Sequence, residues 1–286
     1  MAGEQKTDGE LIPAAESIIR YGQLFEDDCM LRTNIKYLRE AIHMPITAKD
    51  IAKMLDHSTL QPFLTEEDII RGCKTALKYG TATVCARPAD MPLVVKLLNG
   101  SDVKPCTVIG FPHGAHKTET KVFEARQALA DGCTELDMVL HIGKLLSGDD
   151  DYVLNDIAQV VTEAHGVGAI VKVILETCFL NEEQKIRACR LCTQAGADFV
   201  KTSTGYGTKG CTIEDLKLMR ENVPGNVHVK GSGGIRDLDT VLAARAVGAT
   251  RCGVSATEAI MEEALLREAA GTLKEAEALK DMEGGY

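Results

Sequence analysis

From about residue 47 onward the chain alternates short, almost continuously apolar runs with longer stretches in which apolar residues recur every three or four positions. The runs predict strands over 54–60, 82–86, 104–110, 134–140, 170–176, 199–203, 228–231 and 250–254. The stretches between them read as helices. Thr65-Glu66-Glu67-Asp68 has the form of a capping box, in which the first and last residues satisfy each other's backbone N–H groups. Residues 117–130 repeat Val122, Ala125, Ala128 and Leu129 on one face. Helices over 152–165, 181–194, 212–221 and 238–246 follow. Gly132, Gly196 and Gly248 stand where a helix would end in left-handed backbone.

Strands that are apolar throughout, rather than alternating, belong to a parallel sheet covered on both faces. Eight such units of roughly 25–35 residues predict an α/β fold, a single closed (β/α)8 TIM barrel. A doubly wound open sheet is the alternative, but no G-x-G-x-x-G follows the first strand. Residues 1–46 stand outside the barrel count. Their first ten or so are polar and read as disordered, and 16–25 and 34–42 read as two short helices. The expected organisation is an N-terminal, partly helical extension over 1–46 and a barrel over 47–286 with a flexible C-terminal tail. The extension packs on the barrel in one reading and binds a partner or another copy in the other.

Composition narrows the function classes. A formal charge of −10 and a pI near 5.3 argue against nucleic-acid or membrane-surface partners, which call for basic patches. An anionic substrate would need local positive charge working against that global field. The first ten residues have neither a cationic start nor an apolar core, and no stretch approaches 18 uncharged apolar residues. With that, ten cysteines read as reduced thiols in the cytoplasm. Cys189-Arg-Leu-Cys192 is a lone pair inside a helical pattern, without nearby histidines, and reads as two thiols on a helix face.

Three lysines interrupt the apolar strands. Lys172, Lys201 and Lys230 lie 29 residues apart, about one strand-plus-helix unit. Lysine is seldom buried unless paired, and barrel enzymes carry their reactive groups at the C-terminal ends of strands. Alternation puts Lys172 on the face of Ile170 and Ile174, Lys201 on that of Phe199 and Ser203, and Lys230 on that of His228. If this face points inward, the three amines meet Asp137 of the fourth strand in one cavity. A free lysine, with an ordinary pKa near 10.4, is only about one part in a thousand uncharged at neutral pH. Burial and a neighbouring cation both favour the neutral, nucleophilic amine. Lys230 is therefore the candidate to tune Lys201, and Asp137 with Lys172 the candidate proton carriers. A strand-end lysine snorkelling to water explains one of these residues, not three beside an aspartate.

A phosphate site is the second expectation. Gly231-Ser-Gly-Gly234 precedes a helix beginning near Asp237, and Gly253-Val-Ser255 precedes the last long helix. Glycine-rich backbone at a helix N-terminus offers free N–H groups and the positive end of the dipole, and barrels commonly hold phosphate after strands seven and eight.

Phe199-Val-Lys-Thr-Ser-Thr-Gly205, Val171-Lys-Val-Ile-Leu-Glu-Thr177, Glu135-Leu-Asp-Met-Val139 and Val229-Lys-Gly-Ser-Gly-Gly-Ile-Arg236 together resemble the deoxyribose-phosphate aldolases, a family of class I aldolases. Asp56-His-Ser-Thr-Leu60, Val84-Cys-Ala-Arg-Pro88, Thr107-Val-Ile-Gly-Phe-Pro112 and Gly253-Val-Ser255 match the same family in order, so the likeness spans about residues 48–260. It implies reversible cleavage of 2-deoxy-D-ribose 5-phosphate to D-glyceraldehyde 3-phosphate and acetaldehyde, in deoxyribonucleotide catabolism, with no metal and no cofactor. It implies a homo-oligomer whose partners are the small sugar phosphate and acetaldehyde. By that likeness Lys201 is the Schiff-base lysine, Lys230 the lysine that tunes it, and Asp137 with Lys172 the pair that relays protons through water. Thr204, Gly205, Gly233, Gly234, Gly253 and Ser255 fall where the family holds substrate and phosphate, and Asp56, Ser58 and Cys85 around the aldehyde pocket.

The chain departs from the family at three positions. Ser58 stands where many relatives have threonine, Gln61 at a position that is often lysine, and Ala256 where some place a second serine. The tail Glu283-Gly-Gly-Tyr286 brings one aromatic hydroxyl, and Tyr286 is expected to fold over the mouth and assist proton transfer. Three alternatives are weighed: a class I aldolase for another sugar phosphate; a metal-dependent aldolase, which would need a histidine cluster, whereas His113-Gly-Ala-His116 lies in a loop and the other five histidines are scattered; and a barrel scaffold docking through residues 1–46.

Overall fold

A computed structural model describes residues 46–276 of the chain. Eight parallel strands, β1 (Leu55–Thr59), β2 (Thr83–Ala86), β3 (Lys104–Ile109), β4 (Glu135–Val139), β5 (Ile170–Ile174), β6 (Phe199–Lys201), β7 (His228–Ser232) and β8 (Arg251–Val254), close on themselves in chain order. The helices between them are α1 (Ala48–Met54), α2 (Glu66–Tyr79), α3 (Met91–Leu98), α4 (Thr118–Ala130), α5 (Ile142–Leu146), α6 (Asp150–His165), α7 (Glu182–Gln194), α8 (Ile213–Glu221), α9 (Leu238–Ala246) and α10 (Thr257–Ala269). The expected (β/α)8 barrel is the observed one.

Local chemistry accounts for most boundaries. Thr65 and Asp68 form the anticipated capping box at the start of α2. Gly132, Gly196 and Gly248 all lie at φ between 80 and 98° just past their helices. Most boundaries shift by one or two residues from the pattern-based reading, and two of the shifts have a visible cause. Met54, expected to open the first strand, closes α1, a helix with its own Thr47–Asp50 capping box. The sixth strand ends at Lys201 instead of residue 203, because the chain there leaves the sheet to meet the end of β5. The extension (save Ile46), its two helices and Tyr286 lie outside the described residues.

Outward-facing strand residues such as Val84, Leu136, Val173, Val200 and Val229 pack with Ile69, Val94, Val160, Leu216 and Ile260 of the helices in one continuous core. Each such burial contributes roughly 1.5–3 kcal/mol of transfer free energy. This layer also buries ionisable groups. Lys121 of α4 lies wholly out of solvent, its Nζ 2.5 Å from Asp156 Oδ2 of α6 and donating to the Val139 carbonyl at 2.9 Å. Thr118 donates to the other Asp156 oxygen at 2.9 Å. Burial lowers the pKa of Lys121, with Asp156 opposing it. The lysine shaft lies against Gly110, where an added Cβ would come within 2.8 Å of Lys121 Cε. On β1, His57 turns outward to place Nδ1 2.8 Å from the Thr257 hydroxyl, and burial brings its pKa down to about 4.

The inner face is different in kind. Most barrels fill it with Val, Ile and Leu. Here Asp56 of β1 reaches Lys172 of β5, and Arg251 of β8 reaches Glu135 of β4. Contacts between strands so far apart around the ring run through the barrel interior, so these charged side chains point inward. Phe199, level with Lys172 across the β5–β6 pair, packs at a tilt against His228 with ring centroids 5.0 Å apart.

Candidate active site

Parallel register sets the key residues level in two pairs. Asp137 of β4 is the partner of Lys172 on β5, and Lys201 of β6 the partner of Lys230 on β7. Asp137 is the hub. Its Oδ1 accepts from Lys172 Nζ at 2.8 Å and from the Cys106 thiol at 3.3 Å. Its Oδ2 accepts from Lys201 Nζ and Lys230 Nζ, both at 2.7 Å. Burial opposes ionisation of Asp137, but Lys172, Lys201 and Lys230 outweigh it and hold its carboxyl well below the usual range. The structure thus brings together the four residues expected to carry the chemistry.

Below this hub runs a ladder of ion pairs. Lys172 Nζ lies 2.6 Å from Glu135 Oε2 and 3.8 Å from Asp56 Oδ2. Lys230 contacts Asp56, and Arg251 spans Asp56 Oδ1 at 2.5 Å and Glu135 Oε1 at 3.2 Å. Burial works against charge on Lys172 and Lys230, yet Asp137 and the other acidic partners push both pKa values up. Burial likewise opposes charge on Asp56, while Lys230, Lys172 and Arg251 hold its pKa down. Asp56, assigned by resemblance to the aldehyde pocket, borders the cavity, and its carboxylate is engaged with these cations. Sequence reasoning assigned no role to Glu135 or Arg251. The signal was there: each stands two positions from an inward residue, Asp137 and Gly253, and so shares its face.

Above the hub opens a cavity of about 580 Å³, a size ordinary for a small-molecule site. Lys201 and Lys230 reach its floor, Ser58, Cys85, Thr204 and Gly205 its walls, and Gly233, Gly234, Gly253 and Ser255 its rim. Asp137 and Lys172 lie one layer deeper, wholly buried, Asp137 reaching cavity-lining Lys201 and Lys230 and Lys172 reaching cavity-lining Asp56. At the rim, Gly233 and Gly234 adopt φ of 87 and 83°, a backbone that glycine takes without strain. The helices that follow them differ at their starts. Asp237 caps α9 through its own side chain, whereas Ala256 gives α10 no side-chain cap. The first-turn N–H groups of α10, beside Ser255, are therefore open to an anion.

Thr204 lines the cavity with its polar groups already engaged. Its backbone N–H and hydroxyl both donate to Glu176, and its oxygen accepts from the Tyr206 N–H at 3.0 Å. Glu176, just past β5, has φ 53 and ψ 64, and is the one non-glycine residue with positive φ among the described residues. Burial raises its pKa. Tyr206 donates to the Leu60 carbonyl at 3.0 Å and meets Phe111 edge-on at 5.5 Å, tying the loop after β6 to the end of β1. The sequence motif contained Glu176, but nothing local announced its partner 28 positions away.

One set of potential metal donors occurs among the described residues. Cys85 Sγ, Cys106 Sγ and an Asp137 oxygen lie within 4.8 Å of one another, with no histidine in the group. Asp137 already accepts from three ammonium groups, so a cation placed there would displace or face those charges. His113 and His116 are exposed in the loop after β3. Cys189 and Cys192 are buried on α7.

A closed parallel barrel that presents paired lysines on a shared carboxylate at the floor of a cavity is laid out as a barrel enzyme. Comparison with known proteins narrows that class. The DeoC/LacD family aldolase profile matches residues 49–262. The chain is 54% identical over 215 residues to the deoxyribose-phosphate aldolase of Thermococcus gammatolerans, covering 74% of this chain and 96% of that protein. It is 50% identical over 215 residues to that of Rhodopirellula baltica, covering 75% and 89%. The tetrameric deoxyribose-phosphate aldolase of Aeropyrum pernix superposes with a TM-score of 0.72 at 31% identity, covering 88% of this chain and 98% of that one. The chain belongs to the DeoC/LacD family of aldolases.

Proposed function

We propose that this chain reversibly cleaves 2-deoxy-D-ribose 5-phosphate into D-glyceraldehyde 3-phosphate and acetaldehyde through an imine on Lys201. The observation that carries this reading is the Lys201 amine at the cavity floor, 2.7 Å from a carboxylate that it shares with Lys230. The neutral amine attacks the aldehyde carbon of the ring-opened sugar and, with loss of water, forms an iminium ion. Removing the proton from the hydroxyl on the third carbon breaks the bond between the second and third carbons, and its electron pair flows into the iminium. D-glyceraldehyde 3-phosphate leaves, and the enamine is protonated on carbon and hydrolysed to acetaldehyde.

Asp137 and Lys172 lie beneath the floor, so their part in proton movement runs through Lys230, Lys201 or a water that enters beside them. Ser255, Gly233, Gly234 and the open first turn of α10 receive the phosphate, and Ser58 and Cys85 border the aldehyde end. The similarity to the tetrameric Aeropyrum pernix aldolase supports a homo-oligomer. Each described cysteine is a free thiol, in keeping with a cytoplasmic enzyme of deoxyribonucleotide breakdown. No helix among the described residues is long and apolar enough to cross a membrane.

Borohydride reduction in the presence of acetaldehyde, followed by peptide mass mapping, tests the reading. An ethyl group on Lys201 alone is expected. An ethyl group on Lys230 instead, or on neither lysine, overturns it. Turnover on deoxyribose 5-phosphate should exceed that on ribose or fructose phosphates.

A further inference from the structure

The charged groups inside the barrel form one connected set, and their balance leaves Lys201 as the extra cation. Around Lys201, β4 supplies Asp137 and Glu135, β5 Lys172, β7 Lys230, β8 Arg251 and β1 Asp56. Strands β2 and β3 supply the thiols of Cys85 and Cys106. Beyond the strands stand Glu176, which is held by Thr204 and acts electrostatically on Lys201, and His113, which acts on Glu176; Tyr206 and Arg236 line the cavity. Within the contiguous ladder, Asp56, Glu135 and Asp137 are matched charge for charge by Lys172, Lys230 and Arg251. A proton on Lys201 would leave this ladder with one positive charge in excess, and the carboxylate acting on it from outside the ladder, Glu176, is held by Thr204 and has its pKa raised by burial.

A ladder of this kind is a poor way to stabilise a barrel. Buried ion pairs barely repay their desolvation, and apolar side chains fill such interiors as well or better. We propose that Glu135 and Arg251, neither of which borders the cavity, are positioning residues that set the proton occupancy of Lys201 by completing the charge balance beneath it. The inference rests on the imine reading and goes beyond it, since an imine-forming lysine flanked by Lys230 and Asp137 needs neither Glu135 nor Arg251.

The test is the pH dependence of imine formation in the full chain, followed as cyanoborohydride trapping of acetaldehyde on Lys201. Glu135→Gln removes a negative charge and is expected to move the acid limb of the profile to lower pH by about one unit. Arg251→Met removes a positive charge and should move it up by about one unit, with activity regained on raising the pH. The double variant should return close to the starting profile, and Glu135→Asp and Arg251→Lys should shift it little. Shifts of the same sign, or none while Lys201 is still labelled, overturn the inference and leave the imine reading standing. If the unaltered chain takes no label at Lys201, both fail. Should a charge-removing variant not fold, as judged by circular dichroism, ¹³C NMR of labelled lysine ε-carbons in the unaltered chain decides. Charged Lys172 and Lys230 beside an uncharged Lys201 at neutral pH support the proposal. A charged Lys201, or an uncharged Lys172 or Lys230, sinks it.

Discussion

Lys121 and Lys201 are both nearly inaccessible amines facing a buried aspartate, yet their surroundings differ in two respects. Among the described residues Asp156 pairs with no lysine but Lys121, the pair's other hydrogen bonds go to a threonine hydroxyl and a carbonyl, and neither residue lines the cavity above Asp137. Asp137 is shared among Lys172, Lys201 and Lys230, and two of these lysines, Lys201 and Lys230, meet an open cavity. Burial and a carboxylate are thus common to a structural tie and a reactive centre. Competition for the carboxylate, together with access, separates them.

The contrast is broken or sharpened most strongly at Lys201. Lys201→Leu is expected to cut turnover at least about a thousandfold while leaving the thermal midpoint within a few degrees. Steady-state assays and calorimetry check this, and a variant that retained turnover would erase the distinction. Lys121→Met should do the reverse. It should lose about 3–5 kcal/mol in urea denaturation, because Asp156 is left buried without its counter-charge. Turnover per folded molecule should not change, and adding Asp156→Leu should recover most of the loss.

His57 extends the series to a buried base with only a hydroxyl beside it. Its pKa falls from 6.5 to about 4 on burial, so the unfolded chain binds the proton first as pH drops. Stability from this residue is fully present above pH 6.5 and is lost as pH falls through 4, a change of roughly 3 kcal/mol. Denaturation midpoints across that range should slope less in His57→Gln. The smallest effect belongs to the rim: Ser255→Ala should raise KM for the phosphorylated substrate a few-fold, about 1 kcal/mol of binding, with kcat nearly unchanged.

Much of this was legible along the chain because local rules sufficed. The eight strands, the capping box at Thr65, and the glycines ending helices at 132, 196 and 248 follow from period and from turn chemistry. The spacing of Lys172, Lys201 and Lys230 worked because it keeps all three on the inward face, although Lys172 pairs with Phe199 and so lies two residues below the level of Lys201 and Lys230. What stayed hidden depends on pairs far apart in sequence. Arg251 meets Glu135 across 116 positions, and no local pattern marks such a contact. Helix α1 was missed because the apolar Met54-Leu55 boundary fits a strand as well as a helix, although Thr47 and Asp50 carried a cap signature. Helix α5, of five residues, is too short to show a period.

Glu176 carries a practical consequence. A non-glycine residue held at φ 53 costs of the order of 1–3 kcal/mol of backbone strain, and the customary remedy when engineering for heat resistance is to install glycine. Glycine at 176 would discard the acceptor that fixes Thr204, three residues past Lys201. Designs that seek a hardier catalyst and designs that seek a faster one should therefore diverge at this position.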